Sequence, residues 1–70
     1  MNIKELSKAK QMRPFRPFVI HLTSGKDLSI TDGDQFALNA KNRMVFVFGQ
    51  DDAYHLIDAR EIASLTISHR

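Results

Sequence analysis

The chain has 70 residues, no cysteine, no tryptophan and a formal charge of +2. That length allows one domain, which buries only about 60% of the surface its unfolded chain exposes. No disulfide can reinforce so small a core, and His21, His55 and His69 stand singly, without the spacing of a structural zinc site. The remaining common reinforcement is association, so a homo-oligomer is expected. The lack of cysteine fits a reducing compartment, and the expected location is cytoplasmic. Met1 to Met12 carry Lys4, Lys8 and Lys10 and hold no apolar run suited to a signal peptide. The longest apolar run, Met44 to Phe48, falls far short of the roughly 20 residues a membrane span requires.

Charge is unevenly placed. Lys4, Lys8, Lys10, Arg13 and Arg16 stand against Glu5 alone in the first 16 positions; the rest holds five basic and seven acidic residues. A basic arm on a slightly acidic body suits an anionic partner or the acidic body of a neighbouring copy.

Residues 2–12 predict a helix. Asn2 is a capping residue and Glu5 follows three positions later, as in a capping box. Ile3, Leu6, Ala9 and Met12 recur every third position as a narrow apolar stripe. A helix this short is marginal alone in water, so it should form only by packing that stripe on the body. Arg13-Pro14-Phe15-Arg16-Pro17-Phe18 then ends it. Proline lacks the backbone N–H and clashes with the preceding turn, and it drives the residue before it into an extended conformation.

From Phe18 the period changes to two. Phe18, Ile20 and Leu22 alternate with Val19, His21 and Thr23, as in a strand with one buried face. Thr23-Ser24-Gly25-Lys26 predicts a turn, and Asp27 to Thr31 the returning strand of a hairpin. Thr31 to Asp34 reads as a loop or the cap of one helical turn. Gln35 to Leu38 follows, with Phe36 and Leu38 as core plugs. Arg43 to Phe48 is the strongest strand, with Met44, Phe46 and Phe48 on one face and Val45 and Val47 on the other. A strand apolar on both faces is central or lies against another subunit. Gly49 to Asp52 is a hairpin loop, and Ala53 to Ile57 a fourth strand. Asp58 to Glu61 predicts a tight, 3₁₀-like turn. Ile62 to Ser68 is the fifth strand.

The expected fold is therefore mainly β: one domain over 1–70, with the helix over 2–12 and a small five-stranded SH3/Sm-like barrel over 18–68. Its expected core is Phe18, Ile20, Leu22, Leu28, Ile30, Phe36, Met44, Phe46, Leu56, Leu65 and Ile67.

The stretch Arg13 to Leu22 resembles the start of a group of short bacterial proteins of unknown function. They share an Arg-Pro-Phe-x-Pro-Phe opening, a hairpin with glycine at its turn and an Ile-Asp…Ile…Leu ending, here Ile57-Asp58, Ile62 and Leu65. The resemblance covers nearly the whole chain past residue 12 and implies no activity. A second, weaker one is to the bacterial Sm-like RNA chaperones, which also run helix, five strands and a 3₁₀ turn before the last strand. Val19 to Leu28 looks like their first hairpin, and Asp34 to Leu38 like their Asp-Gln-Phe segment. The Gly25–Phe36 interval is about two residues shorter than theirs. Ala59-Arg60-Glu61 stands where that family carries the Tyr-Lys-His run of its uridine site. This resemblance implies the fold and not the RNA site.

The candidate nucleic-acid-binding residues are Lys4, Lys8, Lys10, Arg13 and Arg16. Arginines beside Phe15 and Phe18 can hold phosphate while rings stack on bases. The plainer reading puts both rings in the core and the lysines on a solvated helix face. His21 and His55 sit in mid-strand, where they could meet across strands, and His69 is close to the end of the chain. Asp32-Gly33-Asp34 and Asp51-Asp52 are short of the ligand count of a calcium loop, and turn chemistry explains them. Nothing marks a nucleophile with a positioned base, and so small a barrel leaves little room for a pocket of about 300 Å³ or more. No catalytic residue, metal, cofactor or small-molecule substrate is expected. Two functions remain. One is a non-catalytic interaction module that self-assembles or captures a strand at a sheet edge. The other is RNA or polyanion binding through the basic segment.

Overall fold

A computed structural model describes residues 2–49 and 53–68. The helix forms where the stripe predicts it, as α1 (Ile3–Gln11). Asn2 caps it, its side-chain oxygen accepting the Lys4 N–H at 2.9 Å. Leu6 and Ala9 are buried, and Ile3 and Met12 pack against the core beside them.

Among the described residues six strands follow: β1 (Phe18–Leu22), β2 (Asp27–Ile30), β3 (Phe36–Asn39), β4 (Met44–Phe48), β5 (Tyr54–Asp58) and β6 (Ile62–Ile67). They make two antiparallel sheets, ordered β2-β1-β6 and β3-β4-β5. The prediction of a mainly β chain with one N-terminal helix holds; five strands in a closed barrel does not describe what is seen. A 3₁₀ turn at Gly33–Gln35 carries the chain from the first sheet to the second, and another at Ala59–Glu61 carries it back. Both sheets and α1 contribute to one core, in which Phe18 of β1 meets Phe36 of β3 edge to face at 5.5 Å.

The first hairpin closes as its sequence predicts. Gly25 takes φ +94°, and Leu22 exchanges backbone bonds with Lys26 and Gly25. Such a φ suits a residue without Cβ. The chain bends at Arg13 and Pro14 after α1 and holds no regular structure until β1, and the Arg13–Pro14 bond is cis. Phe18 is buried and Phe15 packs beside it with ring centres 5.9 Å apart, so both rings anchor the segment.

Two expectations require correction. Phe36 and Leu38 are core-facing, but they lie on a strand rather than on a helical turn. Asp32 and Gln35 form a reciprocal capping box, which spends the turn's exposed N–H groups within one turn. The chain leaves extended, and Phe36 to Asn39 pair with Val47 to Met44. The second correction concerns the faces of β4. Period-two alternation defines two faces without saying which is inside. Val47 lies opposite Phe36, and Val45 opposite Leu38 and Ile57. Directly opposed residues share a face, so Val45, Val47 and Ile57 enter the core. Met44, Phe46 and Leu56 fall on the other side, and Leu56 is 67% exposed. Leu22 and Leu65 pack at the margin of the core, while Ile67 is exposed.

Candidate interaction surfaces

The structure separates the basic residues by role. Lys10 turns inward: its Nζ donates to Gly33 O at 2.6 Å and Phe36 O at 2.7 Å. It also lies 4.9 Å from the centre of the Phe36 ring, within cation–π range. Arg13 folds back on the helix end, donating to Met12 O at 2.9 Å and Lys10 O at 3.4 Å. Lys8 is exposed, with Nζ 3.9 Å from Glu5 Oε1. Lys4 and Arg16 are exposed. Lys10 is thus committed to holding α1, Arg13 is engaged at the helix exit while staying exposed, and Lys4, Lys8 and Arg16 stand at the surface.

Two polar clusters escape a reading by sequence spacing. On the outer face of the first sheet, His21 Nδ1 lies 2.9 Å from Asp27 Oδ1 and Nε2 lies 2.7 Å from Thr66 Oγ1. One neutral tautomer satisfies both, donating to the carboxylate and accepting from the hydroxyl. The order carboxylate, imidazole, hydroxyl is that of a nucleophilic triad. The ladder N–H groups around it lie in the sheet plane, so none points at the face to hold an oxyanion. The cluster's evident work is to tie β2, β1 and β6 in register. His55 sits on the other sheet, so His21 and His55 do not pair across adjacent strands. His69 and Asp51-Asp52 lie outside the described residues.

The second cluster caps the turn before β6. Asp58 accepts the Arg60 N–H at 2.9 Å, and its two oxygens accept from Arg60 Nη2 and Nε at 2.8 to 3.3 Å. These bonds hold the Asp58 carboxyl down at about 2 and raise the Arg60 guanidinium. Asp32 bonds the Asp34 N–H at 2.9 Å, the turn chemistry expected of that pair. Among the described residues no cluster of His, Cys, Asp or Glu could hold a metal ion. Nor, among the described residues, is any helix long and apolar enough to cross a membrane.

Of the four exposed large hydrophobic side chains among the described residues, three, Phe48, Tyr54 and Leu56, lie on the outer face of the second sheet. Phe46 stacks on Tyr54 at 5.2 Å and meets Phe48 edge to face at 4.9 Å. Phe48 is 51% exposed and Tyr54 and Leu56 are each 67% exposed. At the ~150–250 Å² a large side chain offers, Phe48, Tyr54 and Leu56 leave roughly 350 Å² uncovered. Contiguous patches of this size on small proteins are often functional. Sequence reading came close to it through the doubly apolar β4, but reversed the faces and so placed Phe46 and Leu56 inside.

Two strands beside the apolar surfaces have open edges. In β5, Gly49 N–H donates to Ala53 O at 2.7 Å and Ala59 N–H to Arg43 O at 2.8 Å. The alternation of an antiparallel ladder then turns the backbone of His55 and Ile57 toward β4. The N–H and C=O groups of Tyr54, Leu56 and Asp58 point to the open edge. In β6, Ser68 N–H donates to Pro17 O at 2.9 Å, and the same alternation turns Leu65 and Ile67 outward. Between β6 and α1 lies a depression of about 410 Å³ lined by Ala9, Met12, Leu65 and Ile67, with Glu5 and Lys8 at its rim. No family model, curated protein or solved structure matches the chain.

Proposed function

We propose that the chain is a small, non-catalytic β-rich interaction module that associates with itself through its second sheet. One observation carries this reading: Phe46, Phe48, Tyr54 and Leu56 form a continuous apolar face on a sheet whose flanking strand β5 has an open edge. Open, apolar edges template pairing unless they are blunted by lysine, proline or a bulge. β5 reads Tyr-His-Leu-Ile-Asp and carries neither lysine nor proline. Helix, strands, a 3₁₀ turn and a last strand around one core also suit an open SH3- or Sm-like barrel. A cysteine-free chain suits the cytoplasm.

RNA or polyanion binding through the basic segment is the alternative, and it is the weaker one. Lys10 and Arg13 are engaged within the chain. Sedimentation velocity from micromolar to millimolar concentration tests the proposal. A shift to larger species as concentration rises is expected, and a monomer throughout removes the reading. Labelled single-stranded RNA, titrated at low and high salt, should not bind. Salt-sensitive binding would restore the alternative.

A further inference from the structure

Resting on that reading, we infer that β5 pairs with β5 of a second copy, antiparallel about a two-fold axis through Leu56. The backbone parity permits this register. Three residues of β5 present their N–H and C=O groups to the open edge, Tyr54, Leu56 and Asp58, and the middle one is Leu56. A dyad there sets Leu56 opposite Leu56 of the partner subunit, and Tyr54 opposite Asp58 of the partner subunit. Every outward donor then meets an outward acceptor. An isologous contact requires this, because each residue must complement its own symmetry mate's surroundings.

The side chains fit the same axis. Tyr54, Leu56 and Asp58 alternate onto one face, the exposed face of Phe46 and Phe48. Leucine meets leucine at the axis. Each Tyr54 phenol comes beside a carboxylate that already holds Arg60 at 2.8 Å, a pairing that suits both the phenol proton and the ring face. The two Asp58 charges lie at opposite ends of the short ladder. Each is balanced by its own Arg60, so self-pairing brings no uncompensated like charges together. An unrelated extended peptide would gain the backbone bonds but not this reciprocal match. The result is a continuous six-stranded sheet with both aromatic clusters on one side. A single edge contact buries less than the ~800 Å² per partner of a standard interface, so a dissociation constant on the order of micromolar is expected.

The absence of native cysteine makes the test clean. Opposed residues of a hydrogen-bonded antiparallel pair have Cα atoms about 5.5 Å apart, within disulfide range. Under mild oxidation, Leu56→Cys should cross-link to a covalent dimer, whereas Ser29→Cys, at an exposed position of β2, should not. Leu56→Lys should raise the dissociation constant at least tenfold without altering the circular dichroism spectrum, since Leu56 is two-thirds exposed. Wild-type association that survives Leu56→Lys, with Leu56→Cys failing to cross-link, would overturn the dyad and leave self-association standing. A wild-type monomer at millimolar concentration would overturn both.

Discussion

At the residue scale, Lys10 shows what sequence could not assign. In sequence it is one of three lysines on a short basic helix, and nothing in its spacing separates it from Lys4 or Lys8. The structure separates them by what each ammonium reaches across the fold: Lys10 reaches two carbonyls more than 20 positions away. Hydrogen bonds to charged groups contribute about 1.5–3 kcal/mol, and a half-buried carbonyl left unpaired costs about as much. Lys10→Met keeps the apolar stem and removes both bonds. It is expected to lower unfolding free energy by about 2–3 kcal/mol, read as a shift of the urea midpoint. Lys4→Ala, at an exposed position, should stay within about 0.5 kcal/mol. Equal, small effects from both would mean that Lys10 does not pin the helix. The same comparison bears on function, because a lysine needed for the fold is a poor choice for a phosphate contact.

At the scale of elements, local chemistry was legible and sidedness was not. The Asn2 cap, the proline stop, the Gly25 turn and the 3₁₀ turn before the last strand all follow from neighbouring residues. The split of Gln35 to Leu38 into turn and strand depends on two side chains bonding back on one turn, and the faces of β4 depend on residues up to 14 positions away. Gln35 is the hinge of that region. Its Oε1 accepts from the Thr31 and Asp32 N–H groups and the Thr31 hydroxyl at 2.6 to 2.9 Å, and its Nε2 donates to Phe48 O at 3.3 Å. Gln35→Ala leaves two backbone donors to solvent and cuts the link to the end of β4. A loss of about 1–2 kcal/mol is expected, and an unchanged denaturation midpoint would remove this role. The second turn gives a pH prediction. Asp58 titrates at about 2 in the fold, below its unfolded value of about 3.9. A depressed carboxyl contributes stability that is complete above the unfolded value and is lost as pH falls toward the folded one. Asp58→Asn keeps an oxygen for the Arg60 N–H but loses the charge. The difference in Tm between wild type and Asp58→Asn should therefore be constant above about pH 5 and shrink from pH 4 to pH 2. A gap that does not change with pH would mean that the ion pair contributes nothing.

At the scale of the whole molecule, the sequence raises the expectation of association without saying which surface would serve it. A short chain with no disulfide has few ways to add stability, and that argument needs no structure. Location required knowing which face of β4 is inside and which strands lie at the edges, and both are consequences of pairing between distant segments. If the folded chain dimerises through β5, stability and association are linked. Mass action favours the folded state whenever the folded state alone binds. Unfolding of a dimer to two chains then costs about 1.4 kcal/mol more per dimer for each tenfold rise in concentration, once the concentration exceeds the dissociation constant. The wild-type Tm should accordingly rise with protein concentration above the micromolar range. The Tm of Leu56→Lys should begin to rise only at concentrations at least tenfold higher and coincide with wild type at the dilute end. That coincidence is the informative part. A Leu56→Lys variant less stable than wild type even at high dilution would place Leu56 in the monomer's own packing, contrary to its two-thirds exposure. A wild-type Tm independent of concentration, in a protein that sediments as a dimer, would mean that the monomer does not unfold from the dimer by simple linkage. The apolar face of the second sheet would then contribute to persistence of the assembly and not to the equilibrium stability of the fold.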